Sequence, residues 1–345
     1  QYAGKLFGSF KAEELCVLCV TRNADISFDE EKFEDTDGED FRARMKKLLT
    51  KRARLAVVRL ELSRPVGKEF LSQLKNRLNL EQRQIYTSPA PMNMKYVYQM
   101  IDSLPQGVRQ PLLFAEYQPR WPEDLSPDYS IIEQIRQKDK LLFYPFDSVE
   151  PFLSLLREAA ERPDVISIKI TIYRLASSSK IARTLCRAAE NGKEVTVLME
   201  LRARFDEANN ISWASLLEEA GCRVIYGVED YKCHSKVCLI TLRRGDHPFY
   251  ITQVGTGNYN EKTNAQYTDL SLMTASDTIG MDATVFFQNM LVGNLEGEYH
   301  QLLASPYGIK DKILELIDQQ IAKGPEGYLC IKANALTERD VIDKL

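Results

Sequence analysis

The segment YKCHSKVCLI, residues 231–240, places His234 and Lys236 directly ahead of an apolar run. Val237 to Ile240, with β-branched members, reads as a buried strand. A core strand gains nothing from charge at its mouth, so the pair asks for a chemical explanation. The chain holds only three histidines, His234, His247 and His300. Neutral imidazole, with an ordinary pKa near ~6.5, is largely deprotonated at neutral pH and is a nucleophile. The lysine adds a compact positive charge. Tyr173-Arg174 closes the run VISIKITIYRL, and Leu201-Arg202-Ala203-Arg204-Phe205-Asp206-Glu207 follows EVTVLMEL. The turn Gly255-Thr256-Gly257-Asn258 comes after PFYITQV, with Lys262 close behind.

In open α/β sheets, ligands bind beyond the carboxyl ends of the strands. The residues above fall at such ends or just before a strand that returns to them. A histidine, a lysine, guanidinium forks and a tight turn form an inventory for gripping and transferring a phosphoryl group. Attack by imidazole on phosphorus gives a phosphohistidine and divides one transfer into two. Each piece alone has a plainer explanation. An HxK can be a surface accident, Arg174 an ion-pair partner, and GTGN only a turn. Asp206 and Glu207 can cap the helix that begins near Asn210. Convergence at strand ends is what favours the phosphate reading.

The elements that must position these residues follow from periodicity. From residue 149 the pattern is helix (VEPFLSLLREAAERP), strand (VISIKITIYRL), helix (SKIARTLCRAAE), strand (EVTVLMEL), helix (NISWASLLEEAGC) and strand (RVIYG). Such β-α-β-α-β alternation predicts a parallel sheet with right-handed crossovers. Gly192 and Gly221 stand where left-handed helix C-caps are expected. Strands are predicted at KVCLITL, PFYITQVG, TDLSLMTA and YLCIKAN, and helices over 277–292, 309–323 and the last residues. Upstream, LCVLCVTRNA and RLAVVRLELS read as strands around the helix EDFRARMKKLLTKRAR. That helix carries Arg42, Arg44, Lys46, Lys47, Lys51, Arg52 and Arg54. Its basic face is either solvated or a surface for a polyanion. QPRWPEDLSPDYS, 118–130, marks a boundary.

The 345 residues suggest two or three domains, and 44% hydrophobic with 27% charged residues is a globular balance. A net charge of −4 provides no global basic field for nucleic acid, and no nucleic-acid partner is expected. No apolar run nears the ~20 residues of a membrane span. The seven cysteines sit in apolar contexts, so Cys16 and Cys19 read as core residues of a protein of the reducing cytoplasm. GxxxxGK[ST] and a GxGxxG at a β-α turn are both absent, which removes the two commonest phosphate-cradling loops. The chain opens without Met and stops within a helical pattern, as a piece of something larger would.

HxK followed by a glycine-rich turn with Asn resembles the phospholipase D superfamily. Its signature places Asp five residues after the lysine, where this chain has Thr241. A phosphodiesterase activity therefore lacks the carboxylate that would orient His234. The longer resemblance is to the histidine-dependent polyphosphate kinase family. It rests on IEQIRQKDKLLFYPFDS, SIKITIYRLASSSKI, NGKEVTVLMELRARFDEANNISWA, EEAGCRVIYGVEDYKCHSK and VGTGNYNEKTNAQYTDLSLMTA.

That resemblance implies a reversible transfer of the terminal phosphate of ATP to inorganic polyphosphate through phospho-His234, giving ADP. It implies Lys236 beside the nucleophile, Arg174 and Arg204 at a magnesium-phosphate site, and Tyr267 at the nucleotide base. A guanidinium has no acceptor for a cation, so the arginines would grip phosphates that carry Mg²⁺. Thr256, Asn258 and Lys262 are candidates for a phosphate-binding turn. The implied fold is a mixed α+β domain (1–125), then a phospholipase D-like α/β domain with a mixed, partly parallel sheet (126–305). The opening of a second such domain (306–345) would follow. The family's N-terminal helical domain and second essential histidine find no counterpart in this chain. It is therefore expected to be inactive alone, a polyphosphate-binding piece of a larger homo-oligomeric enzyme. The implied location is the cytoplasm or the inner face of a membrane.

Overall fold

The two apolar runs near the start of the chain form strands, β1 (Leu18–Arg22) and β2 (Val57–Leu62), paired antiparallel. The computed structural model describes residues 14–23, 42–43, 45–47, 55–90, 92–203, 206–228 and 231–345. They belong to two units, Gln1–Tyr117 and Gln118–Leu345. In the first, helix α1 (Lys68–Leu78) lays Leu71, Leu74 and Leu78 against Val57, Leu60, Leu62 and Leu80. That spacing is one face of a helix. β3 (Ile85–Thr87) adds in parallel to β2, and α2 (Tyr96–Ser103) follows. Cys16 packs against the edge of the same apolar cluster, but it and Cys19 are only partly buried, short of the core positions expected. Of the predicted basic helix, residues 42–43 and 45–47 are helical, with Lys46 and Lys47 exposed. Arg44, Lys51, Arg52 and Arg54 lie outside the described residues.

The second unit is built on one seven-stranded sheet. Its early elements are α3 (Ile131–Gln137), β4 (Lys140–Tyr144), α4 (Glu150–Glu161) and β5 (Val165–Ile172). Next come α5 (Lys180–Glu190), β6 (Glu194–Met199), α6 (Glu207–Glu219) and β7 (Arg223–Ile225). Then follow β8 (Val237–Arg244), β9 (His247–Gly255), the short α7 (Glu261–Asn264), β10 (Asp269–Thr274) and α8 (Asp277–Leu291). Strand order is β4-β10-β9-β8-β5-β6-β7. β5, β6 and β7 are parallel, while β8 runs antiparallel to β5 and β9, and β10 antiparallel to β9 and β4. The sheet is thus mixed and partly parallel, as expected.

Local chemistry explains the helices. α4 has Pro in its first turn, tolerated where no intrahelical bond is lost. Its buried Phe152, Leu155, Leu156, Ala159 and Ala160 repeat at helical spacing. Each large apolar side chain buried in this way contributes about 1.5–3 kcal/mol relative to exposure. α5 starts where Ser179 Oγ accepts from the Ala182 N–H at 3.3 Å. Gly192 and Gly221, with φ of 81° and 92°, supply the left-handed steps after α5 and α6. A core of Leu198, Val237, Leu239, Ala283 and Phe287 joins β6 and β8 to α8.

One expected strand does not form. Residues 328–334, YLCIKAN, form no strand, with Tyr328, Leu329 and Ile331 exposed. A strand needs a neighbour for its N–H and C=O groups, and no described strand lies alongside. The segment runs between α9 (Ile309–Ile321) and α10 (Arg339–Lys344), and Lys332 Nζ donates to Thr268. No helix among the described residues is long and apolar enough to cross a membrane.

Candidate functional site

Because β8 is antiparallel to β5, the residues entering β8 lie beside those leaving β5. Register runs Ile168 to Ile240 and Ile170 to Cys238. Thr171 fastens this junction, its Oγ1 donating to the Ser235 carbonyl at 2.8 Å and accepting from the Val237 N–H at 3.1 Å. His234 and Tyr173 are thereby brought together, their ring centroids 4.7 Å apart at 82°. The Lys236 ammonium and the Arg174 guanidinium each lie 5.5 Å from the Tyr173 ring centroid. Three of the expected site residues, His234, Lys236 and Arg174, therefore surround one tyrosine that sequence reasoning noted without a role.

Charge and burial decide the protonation states. His234 keeps a solvent-accessible ring, but partial desolvation and the cations of Lys236 and Arg174 hold its pKa below the ordinary 6.5. It is thus an imidazole with a free lone pair at neutral pH. Lys236 is only 5% exposed and donates Nζ to the His234 carbonyl. Burial lowers its pKa to about 8, against the opposing pull of Cys233 and Asp269.

The strand ends are pinned from α6. Asn210 Nδ2 donates to the carbonyls of Tyr173 at 2.8 Å and Glu200 at 2.9 Å, and Asn209 Nδ2 to that of Leu175 at 2.9 Å. Trp213 Nε1 donates to the Ala176 carbonyl at 3.1 Å. Asp206 does not play the capping role that was the plainer alternative for it. No side-chain cap bond forms at its helix, which begins at Glu207, and its Oδ2 lies 2.8 Å from Arg174 Nε. The pull of a nearby guanidinium outweighs a helix N–H. Arg204 lies outside the described residues.

The GTGN turn reaches the same edge, since the Gly255 N–H donates to the Lys236 carbonyl at 3.0 Å. Thr256 Oγ1 donates to Asp269 Oδ1 at 2.8 Å and accepts from the Leu270 N–H at 3.0 Å. Glycine is needed at 257, where a Cβ would stand 2.6 Å from Asp269 Oδ2. Asn258 Oδ1 is buried without a hydrogen-bond donor among the described residues. Lys262 and Tyr267 are exposed, Tyr267 by 61%, and no described contact joins either to His234. Thr241 lies within β8, opposite Ser167 and Tyr250, so no carboxylate occupies that position.

Glu200, which sequence reasoning missed, is a buried carboxylate whose Oε2 accepts from the Cys233 N–H at 2.8 Å. A glutamate after a strand carries no signal of burial, and only the returning loop reveals it. No three His, Cys, Asp or Glu side chains among the described residues group so as to hold a metal. Asp206, the carboxylate beside Arg174, is already ion-paired. These residues do not make a magnesium cage.

Fold and site define an α/β protein with a histidine and two cations gathered at the carboxyl ends of parallel strands. Family models described as the polyphosphate kinase middle domain and polyphosphate kinase C-terminal domain 1 match residues 1–100 and 130–296. The chain belongs to the polyphosphate kinase family. It is 36% identical over 344 residues to a polyphosphate kinase of Staphylococcus epidermidis, covering 99% of this chain and 46% of that one. With a Lactiplantibacillus plantarum polyphosphate kinase it shares 37% identity over 348 residues, covering 100% and 47%. The crystal structure of the Porphyromonas gingivalis polyphosphate kinase superposes with a TM-score of 0.77 at 28% identity, covering 99% of this chain and 48% of that one. The chain spans about half the length of the curated relatives it matches.

Proposed function

We propose that this chain carries the phosphoryl-accepting half of a polyphosphate kinase. In that enzyme the terminal phosphate of ATP passes reversibly to polyphosphate through His234. The observation that carries the reading is the setting of His234, an accessible imidazole held neutral beside two cations. In the forward direction the imidazole lone pair attacks the terminal phosphorus. The bond to the bridging oxygen breaks, ADP leaves with that electron pair, and a phosphoramidate remains. A terminal oxygen of polyphosphate then attacks, the P–N bond breaks, and the free imidazole returns with the chain one phosphate longer.

Lys236 and Arg174 supply fixed positive charge where the transferred group gathers negative charge, the main protein contribution in phosphoryl transfer. Arg204 and the turn residues Thr256, Asn258 and Lys262 are assigned to phosphate contacts, and Tyr267 to the nucleotide base. Magnesium, when bound, would sit on the substrate phosphates and offset their negative charge. The full-length enzyme is proposed to be cytoplasmic and homo-oligomeric, and the 345-residue chain alone, whose other histidines are His247 and His300, to be inactive. The test is labelling with radioactive ATP of the polypeptide extended to the length of its relatives. An acid-labile, base-stable label in the His234 peptide is expected.

A further inference from the structure

Glu200 and Arg202 do not touch the reacting groups, yet their contacts lead to the loop that carries His234. Glu200 is 2% exposed. Its Oε1 accepts from the Arg202 backbone N–H at 2.7 Å and from Arg202 Nε at 3.3 Å, and its Oε2 from the Cys233 N–H at 2.8 Å. Arg202 Nη2 in turn donates to the carbonyls of Val228, at 3.0 Å, and Tyr231. The ion pair therefore holds the loop at residues 228, 231 and 233, the last directly before His234.

The pair is itself anchored. The Glu200 N–H donates to the Ile172 carbonyl at 2.8 Å, and its carbonyl accepts from Asn210 Nδ2 at 2.9 Å. β5, β6 and α6 thus share one frame with the loop. A buried carboxylate is costly unless fully hydrogen-bonded. Packing alone would be served by an apolar residue, whereas fixing the N–H groups of an irregular loop needs an acceptor.

We propose that Glu200 and Arg202 form a positioning clamp, fixing the backbone ahead of His234 and with it the stance of the ring against Tyr173. The proposal rests on the reading of His234 as the phosphoryl acceptor. A loosened loop lets the ring turn from its attack geometry and admits water behind it. Small misplacements of reacting groups lower rates by up to about 10²-fold. Among the described residues, the charged groups around the ring are Lys236 and Arg174, with Cys233 and Asp269 bearing on Lys236 and Asp206 paired to Arg174. Glu200 itself bears on Cys233, so Arg202→Lys, which leaves that carboxylate in place, separates loosening of the loop from loss of its charge.

The test uses Glu200→Gln, which keeps the volume but turns an amide N–H towards either Arg202 or the Cys233 N–H. Arg202→Lys is the second variant, keeping the charge and losing the fork to Val228 and Tyr231. NMR pH titration of the 345-residue chain follows its three histidines directly. Expected is movement of the His234 midpoint towards 6.5 in both variants, with His247 and His300 unmoved. In the extended polypeptide, His234 phosphorylation should slow about 10–100-fold at unchanged KM for ATP, and the double variant should be no slower than either single one. Folded variants with an unmoved His234 midpoint and wild-type labelling overturn the clamp. A moved midpoint with no label at His234 even in the wild type leaves the clamp standing and removes the acceptor assignment instead.

Discussion

The imidazole of His234 stands edge-on to the ring of Tyr173, with centroids 4.7 Å apart and planes at 82°. This contact holds His234, carried by the loop that precedes β8, against the carboxyl end of β5. The same ring lies within 5.5 Å of the charged ends of Lys236 and Arg174, so one aromatic residue organises the group.

The pH dependence of His234 phosphorylation follows from two depressed pKa values. His234 must be neutral, and its pKa lies below 6.5, so the acid limb falls below that pH. Lys236 must be charged, and its pKa is about 8, so the rate declines again above about pH 8. Lys236→Arg, which does not titrate there, should remove the alkaline limb while leaving the acid limb in place. Stability should run the other way from activity. Between about 8 and 10.5 the unfolded chain binds more protons at Lys236 than the folded one, so this residue makes stability rise with pH across that window.

Arg174→Lys keeps a charge but loses the planar fork and the Nε that faces Asp206. Weaker phosphate binding of about 10–100-fold is expected, corresponding to the about 1.5–3 kcal/mol of hydrogen bonds to charged groups. Titration calorimetry with tripolyphosphate measures it. Unchanged affinity would make Arg174 only the partner of Asp206.

Gly257→Ala puts a methyl group 2.6 Å from Asp269 Oδ2. The carboxylate must move, breaking its bond with Thr256 Oγ1. A loss of about 1–3 kcal/mol is expected from such overpacking, read by denaturant titration. Asp269 raises the Lys236 pKa, so its displacement should also shift the alkaline limb to lower pH.

Asp282 offers a control remote from the chemistry. Buried on α8, it accepts from the backbone N–H groups of His300, Gln301 and Leu302 at 2.6–3.0 Å. Those bonds lower its pKa against the opposing effect of burial. Its contribution to stability is present above pH 3.8 and fades as pH falls through the lower folded value. Asp282→Ala should destabilise by about 1–3 kcal/mol with His234 labelling intact in the folded protein.

The sheet and the core of the site were legible for definite reasons. Apolar runs such as SIKITI and EVTVLM have strand length and strand composition, and the helices between them force a parallel arrangement. His234 stood out in the sequence because a charge before a buried strand is anomalous. What escaped depended on chain segments meeting from a distance. Asp206 looked like a cap because its sequence neighbour is a helix, while Arg174, its actual partner, is 32 positions away in the chain. Glu200 drew no notice because Cys233, whose N–H it accepts, is 33 positions away in the chain. YLCIKAN has strand composition, but composition cannot supply the neighbouring strand.

The central claim is most directly tested by labelling the extended polypeptide with radioactive ATP, beside His234→Asn, and mapping the modified peptide. The account predicts an acid-labile, base-stable label in the peptide containing His234, absent from His234→Asn. A label that survives the substitution, or a folded wild type that takes none, would contradict it.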